Sequence, residues 1–79
     1  GYATEASRLL VDYGFTKLRL KRIYAYAMTH NPNSHHVLKK CGFIKEGLLR
    51  DYVKHQGRWR DVYAYAILKN EWENKRSKL

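Results

Sequence analysis

The amino-acid order predicts a small mixed α/β fold of the α+β kind: helix, strand, helix, then two strands forming an antiparallel hairpin over residues 43–68. The run Arg22-Ile23-Tyr24-Ala25-Tyr26-Ala27-Met28 is apolar and aromatic, the composition of a strand. Asn31-Pro32-Asn33-Ser34 breaks that strand, because proline lacks a backbone donor, and Gly42 stops the short helix that follows. Farther on, two long segments of alternating character flank His55-Gln56-Gly57-Arg58, a turn sequence.

The chain opens Gly1-Tyr2-Ala3-Thr4-Glu5-Ala6 and continues as a helix to about Tyr13, where Gly14 is expected to end it. Ala3, Ala6, Leu10 and Tyr13 share one face, with Leu9 beside them, and are expected to point inward; Glu5, Arg8 and Asp12 look outward. Residues 15–20 read as a connector. In the strand, Ile23, Ala25 and Ala27 take one face and Tyr24, Tyr26 and Met28 the other. Both faces are apolar, which predicts a buried central strand. Ser34 can cap the next helix, on which Val37, Leu38 and Cys41 recur at buried-face spacing. Gly42 stands just past its end, where a left-handed residue is wanted. Residues 43–54 and 59–68 read as strands, with Val62, Ala64, Ala66 and Leu68 alternating with Tyr63, Tyr65 and Ile67. The charged tail, residues 69–79, has Trp72 as its one large anchor and is a short helix at best.

At 79 residues the chain is one domain at most, and a small one. The single cysteine, Cys41, excludes an internal disulfide. No apolar run is long enough to span a bilayer and no signal-peptide pattern opens the chain, so the expectation is a soluble cytoplasmic protein without a membrane partner. Lysine and arginine outnumber the acids by 16 to 7, a net charge of +9 that favours an anionic partner: a nucleotide-like cofactor, nucleic acid or a ribosomal surface. His35 and His36, adjacent on a helix, point about 100° apart and cannot share one metal ion. Cys41 lies on the apolar helix face with no histidine or acid beside it in the pattern, and reads as a core residue.

Several short segments together resemble the C-terminal half of a GCN5-related N-acetyltransferase (GNAT). They are Gly1-Tyr2-Ala3-Thr4-Glu5-Ala6, Asn31-Pro32-Asn33-Ser34, Gly42-Phe43-Ile44-Lys45-Glu46-Gly47, Arg50, Gly57, Asp61-Val62 and Tyr65, in order and at sensible spacing. The branch most resembled acetylates ribosomal-protein N-termini (the RimJ/RimL-like enzymes) or polyamines. The resemblance implies acetyl-CoA as cofactor and an amine acceptor, a protein N-terminus or a small amine. It also implies a partial domain over residues 1–79 that begins inside the pyrophosphate loop and lacks the preceding strands. The unpaired strand edge this leaves invites a second copy or a missing N-terminal half to pair with it.

The candidate site follows from both lines. A glycine and small residues at a helix start expose backbone N–H groups at the positive end of the dipole, a place suited to pyrophosphate. The family's pattern there (Gln or Arg, two residues, Gly, any residue, Gly or Ala) is matched in its last two fixed positions by Gly1 and Ala3, which brings in Tyr2 and Thr4 as cofactor-binding candidates. Asn31, with Asn33 and Ser34, stands where the family has cofactor-binding residues; a turn residue before proline would read the same. Lys39 and Lys40 are candidates for the phosphates, or simply a solvated face. Much of the superfamily places a tyrosine general acid at the position of Leu38, which has no proton to give. The resembled branch uses a serine at the helix start, and Ser34 matches it. Some relatives use a carboxylate at the position of Val53; Asp51 and His55 flank it, expected on one strand face, as candidate bases. Two other classes remain open: a non-catalytic interaction module, and a small RNA-binding domain using Tyr24, Tyr26 and Tyr63 for stacking. Scattered basic residues and core-like alternation of the tyrosines make nucleic acid the weaker partner.

Overall fold

The computed structural model describes residues 2–77, and the side chains of all but the last two of these. Gly1, which the pyrophosphate motif includes, and residues 78–79 of the tail lie outside the described residues. The elements are α1 (Tyr2–Thr16), β1 (Arg22–Met28), α2 (Pro32–Lys40), β2 (Ile44–His55), β3 (Arg58–Leu68) and α3 (Lys69–Ser77). The strands form one antiparallel sheet in the order β1-β3-β2. Gln56 and Gly57, both at positive φ, make the two-residue turn between β2 and β3, the conformation that matches strand twist. No helix among the described residues is long and apolar enough to cross a membrane.

Directly paired residues share a face, so Ile23, Ala25 and Ala27 of β1 lie with Ile67, Tyr65 and Tyr63 of β3. This face carries the core: Val11 and Phe15 of α1, Cys41 and Phe43 around the end of α2, and Ala27, Tyr65 and Ile67 of the sheet. Trp72 of α3 closes it, its ring 5.2 Å from Phe15 and its indole N–H donating to Asp12 Oδ1 at 2.7 Å. The opposite face is largely open, with Val62 and Ala66 of β3 buried on it. Tyr24 and Tyr26 are 62% and 42% exposed there, in a row with Tyr52, whose hydroxyl donates to that of Tyr26 at 3.3 Å. Arg22 spans the same face from β1 to pair through two hydrogen bonds with Glu46 of β2.

Three expectations are corrected here. First, α1 does not stop at Gly14 but runs through it to Thr16. A Cβ at position 14 would lie 2.7 Å from Ile23 Cδ1, so the glycine allows α1 to approach β1 closely. Second, α1 buries Thr4, Val11, Gly14 and Phe15, while Leu9, Leu10 and Tyr13 stay exposed and Asp12 faces the body. The helix carries two apolar stripes; Phe15, assigned to a connector, is the largest member of the one that wins. Third, β1 is an edge strand with one open face, because no other strand pairs with its outer side among the described residues.

Candidate active site

The end of β1 and the start of α2 are welded by a short set of hydrogen bonds. The Met28 carbonyl accepts from Asn31 N at 3.0 Å, closing the turn. Asn31 is the helix cap, its Oδ1 accepting from Ser34 N at 3.3 Å, and Pro32 takes the first helical position, where its missing N–H costs nothing. Ser34 is therefore the capped residue and not the cap, as the sequence had suggested. The reason is Pro32, whose fixed φ suits the first helical position and moves the cap back to Asn31. Ser34 is half-buried, and its hydroxyl has no hydrogen-bond partner among the described residues. Asn33 beside it is exposed.

His35 is the residue that sequence reasoning missed, having been weighed only as a metal ligand. Its Nε2 lies 3.0 Å from the Met28 carbonyl oxygen and its Nδ1 2.6 Å from the hydroxyl of Tyr65, a residue only 1% exposed. His36 faces solvent. Only the hairpin register, which brings Tyr65 beneath α2, reveals this pairing, and local spacing holds no signal of it.

At its far end α2 stops as expected. Gly42, at φ 95°, donates to Lys39 O, and Phe43 N donates to Leu38 O, the paired bonds of a Schellman motif. Lys39 and Lys40 are exposed in that last turn. Two contacts tie this end to the start of α1: Cys41 Sγ–H donates to the Thr4 carbonyl at 3.6 Å, and Arg8 donates to the Lys40 carbonyl at 3.1 Å. Thus Tyr2, Ala3 and Thr4, whose first-turn N–H groups have no helical partner, stand near the basic end of α2. Tyr2 and Ala3 are exposed and Thr4 is buried. A cavity of about 420 Å³ between the three helices is rimmed by Arg8, Lys40 and Lys75. Burial pushes the Cys41 thiol up in pKa, with Arg8 and Lys75 opposing, so the neutral thiol packs as a core group.

The candidate bases sit elsewhere. Leu49 pairs with Val62 and Val53 with Arg60, so residues 50–52 of β2 oppose Asp61 alone. Asp51 rides this bulge at φ 47°, its N–H held by Asp61 Oδ1 at 2.8 Å. The bulge interrupts the alternation that was expected to set Asp51 and His55 on one face. β1 ends at Met28 opposite Val62, whereas His55 pairs with Arg58, four residues farther along β3. His55 therefore stands roughly 13 Å along the strand beyond the Met28 row. Asp51 lies just past that row.

The sequence model of the acetyltransferase (GNAT) domain matches residues 1–44 of this chain. An uncharacterized N-acetyltransferase, p20, of Bacillus licheniformis is 50% identical over 72 residues, covering 91% of this chain and 40% of that protein. A putative ribosomal N-acetyltransferase, YdaF, of Bacillus subtilis is 37% identical over 76 residues, covering 96% of this chain and 42% of its own length. Among solved structures, the spermidine/spermine N-acetyltransferase SpeG of Vibrio cholerae superposes with a TM-score of 0.87 at 35% identity, over 95% of this chain and 44% of SpeG. The chain spans about two fifths of the length of the curated relatives it matches, in their C-terminal part. Motif, fold and relatives agree: the chain belongs to the GNAT acetyltransferase family.

Proposed function

We propose that this chain serves as the C-terminal half of an acetyl-CoA-dependent N-acetyltransferase acting on a primary amine, a protein N-terminus or a small amine. The observation that carries the reading is the junction of β1 and α2. There an open strand edge runs into a hydrogen-bonded turn, and the half-buried Ser34 just beyond it has a hydroxyl with no hydrogen-bond partner among the described residues.

The residues present fit acetyl-CoA. Along the outer edge of β1, N–H and C=O groups without a strand partner suit the amides of an extended pantetheine arm. The first-turn N–H groups of α1, at Tyr2, Ala3 and Thr4, suit a pyrophosphate, and Arg8, Lys39 and Lys40 add positive charge toward that end. When bound, the cofactor supplies the acyl group as a thioester. Asn31 caps the turn beside it, and Asn33 stands exposed in the first turn of α2, open to the cofactor. Ser34 Oγ–H hands a proton to the departing sulfur, and the attacking amine loses its proton to a base. Asp51 is the better base of the two candidates, because His55 sits out on the hairpin tip.

The reading includes a second polypeptide segment. Tyr2, Leu9, Leu10 and Tyr13 on α1, and Tyr24 and Tyr26 on β1, are exposed apolar groups beside an unpaired edge. An N-terminal half suits them better than a second copy, since two chains of net charge +9 repel. A cytoplasmic location accompanies this reading. The open tyrosines favour RNA binding as a second reading, told apart by a steep loss of affinity with salt where free CoA does not compete.

The test is acetyl transfer by this chain co-expressed with the N-terminal segment of p20, using peptide and polyamine acceptors. Ser34→Ala is expected to lower kcat by about 10²-fold or more with the cofactor KM little changed. An unchanged kcat would remove Ser34 from the chemistry.

A further inference from the structure

We infer that His35, as the neutral tautomer protonated at Nε2, is a positioning residue that clamps the Ser34 turn onto the sheet. A carbonyl oxygen only accepts, so the 3.0 Å contact from Nε2 to Met28 O requires the proton on Nε2. In a neutral ring Nδ1 then holds a lone pair, and the Tyr65 hydroxyl 2.6 Å away donates to it. Tyr65 is 1% exposed, and a phenol that deep needs its partner. The ring is further held edge-on by Tyr63, with centroids 5.5 Å apart and planes at 70°. One imidazole thus joins three elements: the last carbonyl of β1, the first turns of α2, and the centre of β3.

The clamp matters because little else holds this end of α2. No residue of α2 is fully buried, and the half-buried Val37 and Leu38 that pack against the core stand in its second half, away from Ser34. Its far end is fixed through the Schellman bonds and the burial of Cys41 and Phe43. The Asn31 cap is local and moves with the turn. Among the described residues, His35 makes the side-chain hydrogen bonds that tie the first two turns of α2 to the sheet. Its consequence for catalysis rests on the reading of Ser34 as proton donor, but the clamp itself does not.

The experiment is nitrogen-15 NMR of the histidine rings in the intact chain, joined to amide exchange at the start of α2. The expected ring pattern is a protonated Nε2 and an unprotonated Nδ1 for His35, with the Nδ1 resonance moving in Tyr65→Phe. His35→Leu is expected to speed exchange of the Asn31 amide, which donates to Met28 O across the clamped junction, about five- to tenfold, the worth of an ordinary hydrogen bond, and His35→Gln, which can both donate and accept, to restore most of the protection. A ring protonated at Nδ1, or one averaging between tautomers, would overturn the clamp without any variant being made. Equal exchange in the Leu and Gln variants and the parent would overturn it too. Failure of acetyl transfer in the assay above, with the ring pattern as expected, would count against the proposed function alone.

Discussion

Replacing Gly14 by alanine sets two opposing effects against each other at the contact between α1 and β1. In a helix interior alanine is favoured over glycine by about 1 kcal/mol. Here, though, the new Cβ would stand 2.7 Å from Ile23 Cδ1 and 3.4 Å from Leu20 Cδ1. Overpacking of this kind costs about 1–3 kcal/mol. The nearest atom is a terminal methyl of a half-buried side chain, which can turn aside, so the low end of that range applies. The expected net effect is a loss of about 0–1 kcal/mol where a free helix would gain. Ile23→Val removes the obstructing methyl and alone costs about 0.5–1.5 kcal/mol. In the double variant the alanine methyl fills the space Cδ1 left, so the pair should be more stable than the summed singles by about 1 kcal/mol. Urea denaturation of the four proteins, followed by circular dichroism, measures that coupling. If Gly14→Ala alone stabilised by the full helical increment, with no coupling to Ile23→Val, the close approach of the two elements would be refuted.

Gly42→Ala forces a side chain onto φ 95° and within 3.2 Å of Ile67 Cδ1, and is expected to cost about 1–2 kcal/mol in the same denaturation assay. The hydrogen bond from Arg22 holds the Glu46 carboxyl below the usual carboxylate range. Its stabilising effect is therefore complete above the unfolded value near ~4.3 and fades as pH falls through the lower folded value. Thermal melts from about pH 6 down to about pH 3 should flatten in Glu46→Gln, and superimposable curves would leave the exposed pair without a role. Tyr24→Thr with Tyr26→Thr keeps strand propensity while removing the open aromatic row, and should weaken capture of an N-terminal segment about tenfold or more in a pull-down titration. Capture at parent strength would place the interface elsewhere.

Much of this architecture is written in local chemistry. The glycine at the end of α2 and the two-residue hairpin turn at Gln56-Gly57 are dictated by backbone geometry and stand where the residues put them, whereas the start of α2 was expected at a Ser34 cap and is led by Pro32 instead. What depends on partners far along the chain was less legible. α1 offers two helix-spaced stripes, and the choice between them is made by Phe15 meeting Trp72, 57 residues later. The bulge at Asp51 has no glycine to announce it; an aspartate takes the left-handed conformation because Asp61, on the facing strand, holds its N–H. The site shows the same division. Asn31 and Ser34 stand out from their place beside Pro32, whereas His35 acquires its role only when β3 slides Tyr65 beneath it.

The central claim, that this chain carries a cofactor-binding half-site completed by another segment, is tested most directly by isothermal titration with acetyl-CoA. The titration is run on the chain alone and on the chain paired with the N-terminal segment of p20, with the mass of each species measured beside it. The account predicts micromolar binding by the paired form and binding at least about tenfold weaker by the chain alone, because no strand flanks the outer edge of β1 among the described residues. A folded, correctly paired assembly that takes up no acetyl-CoA would contradict it.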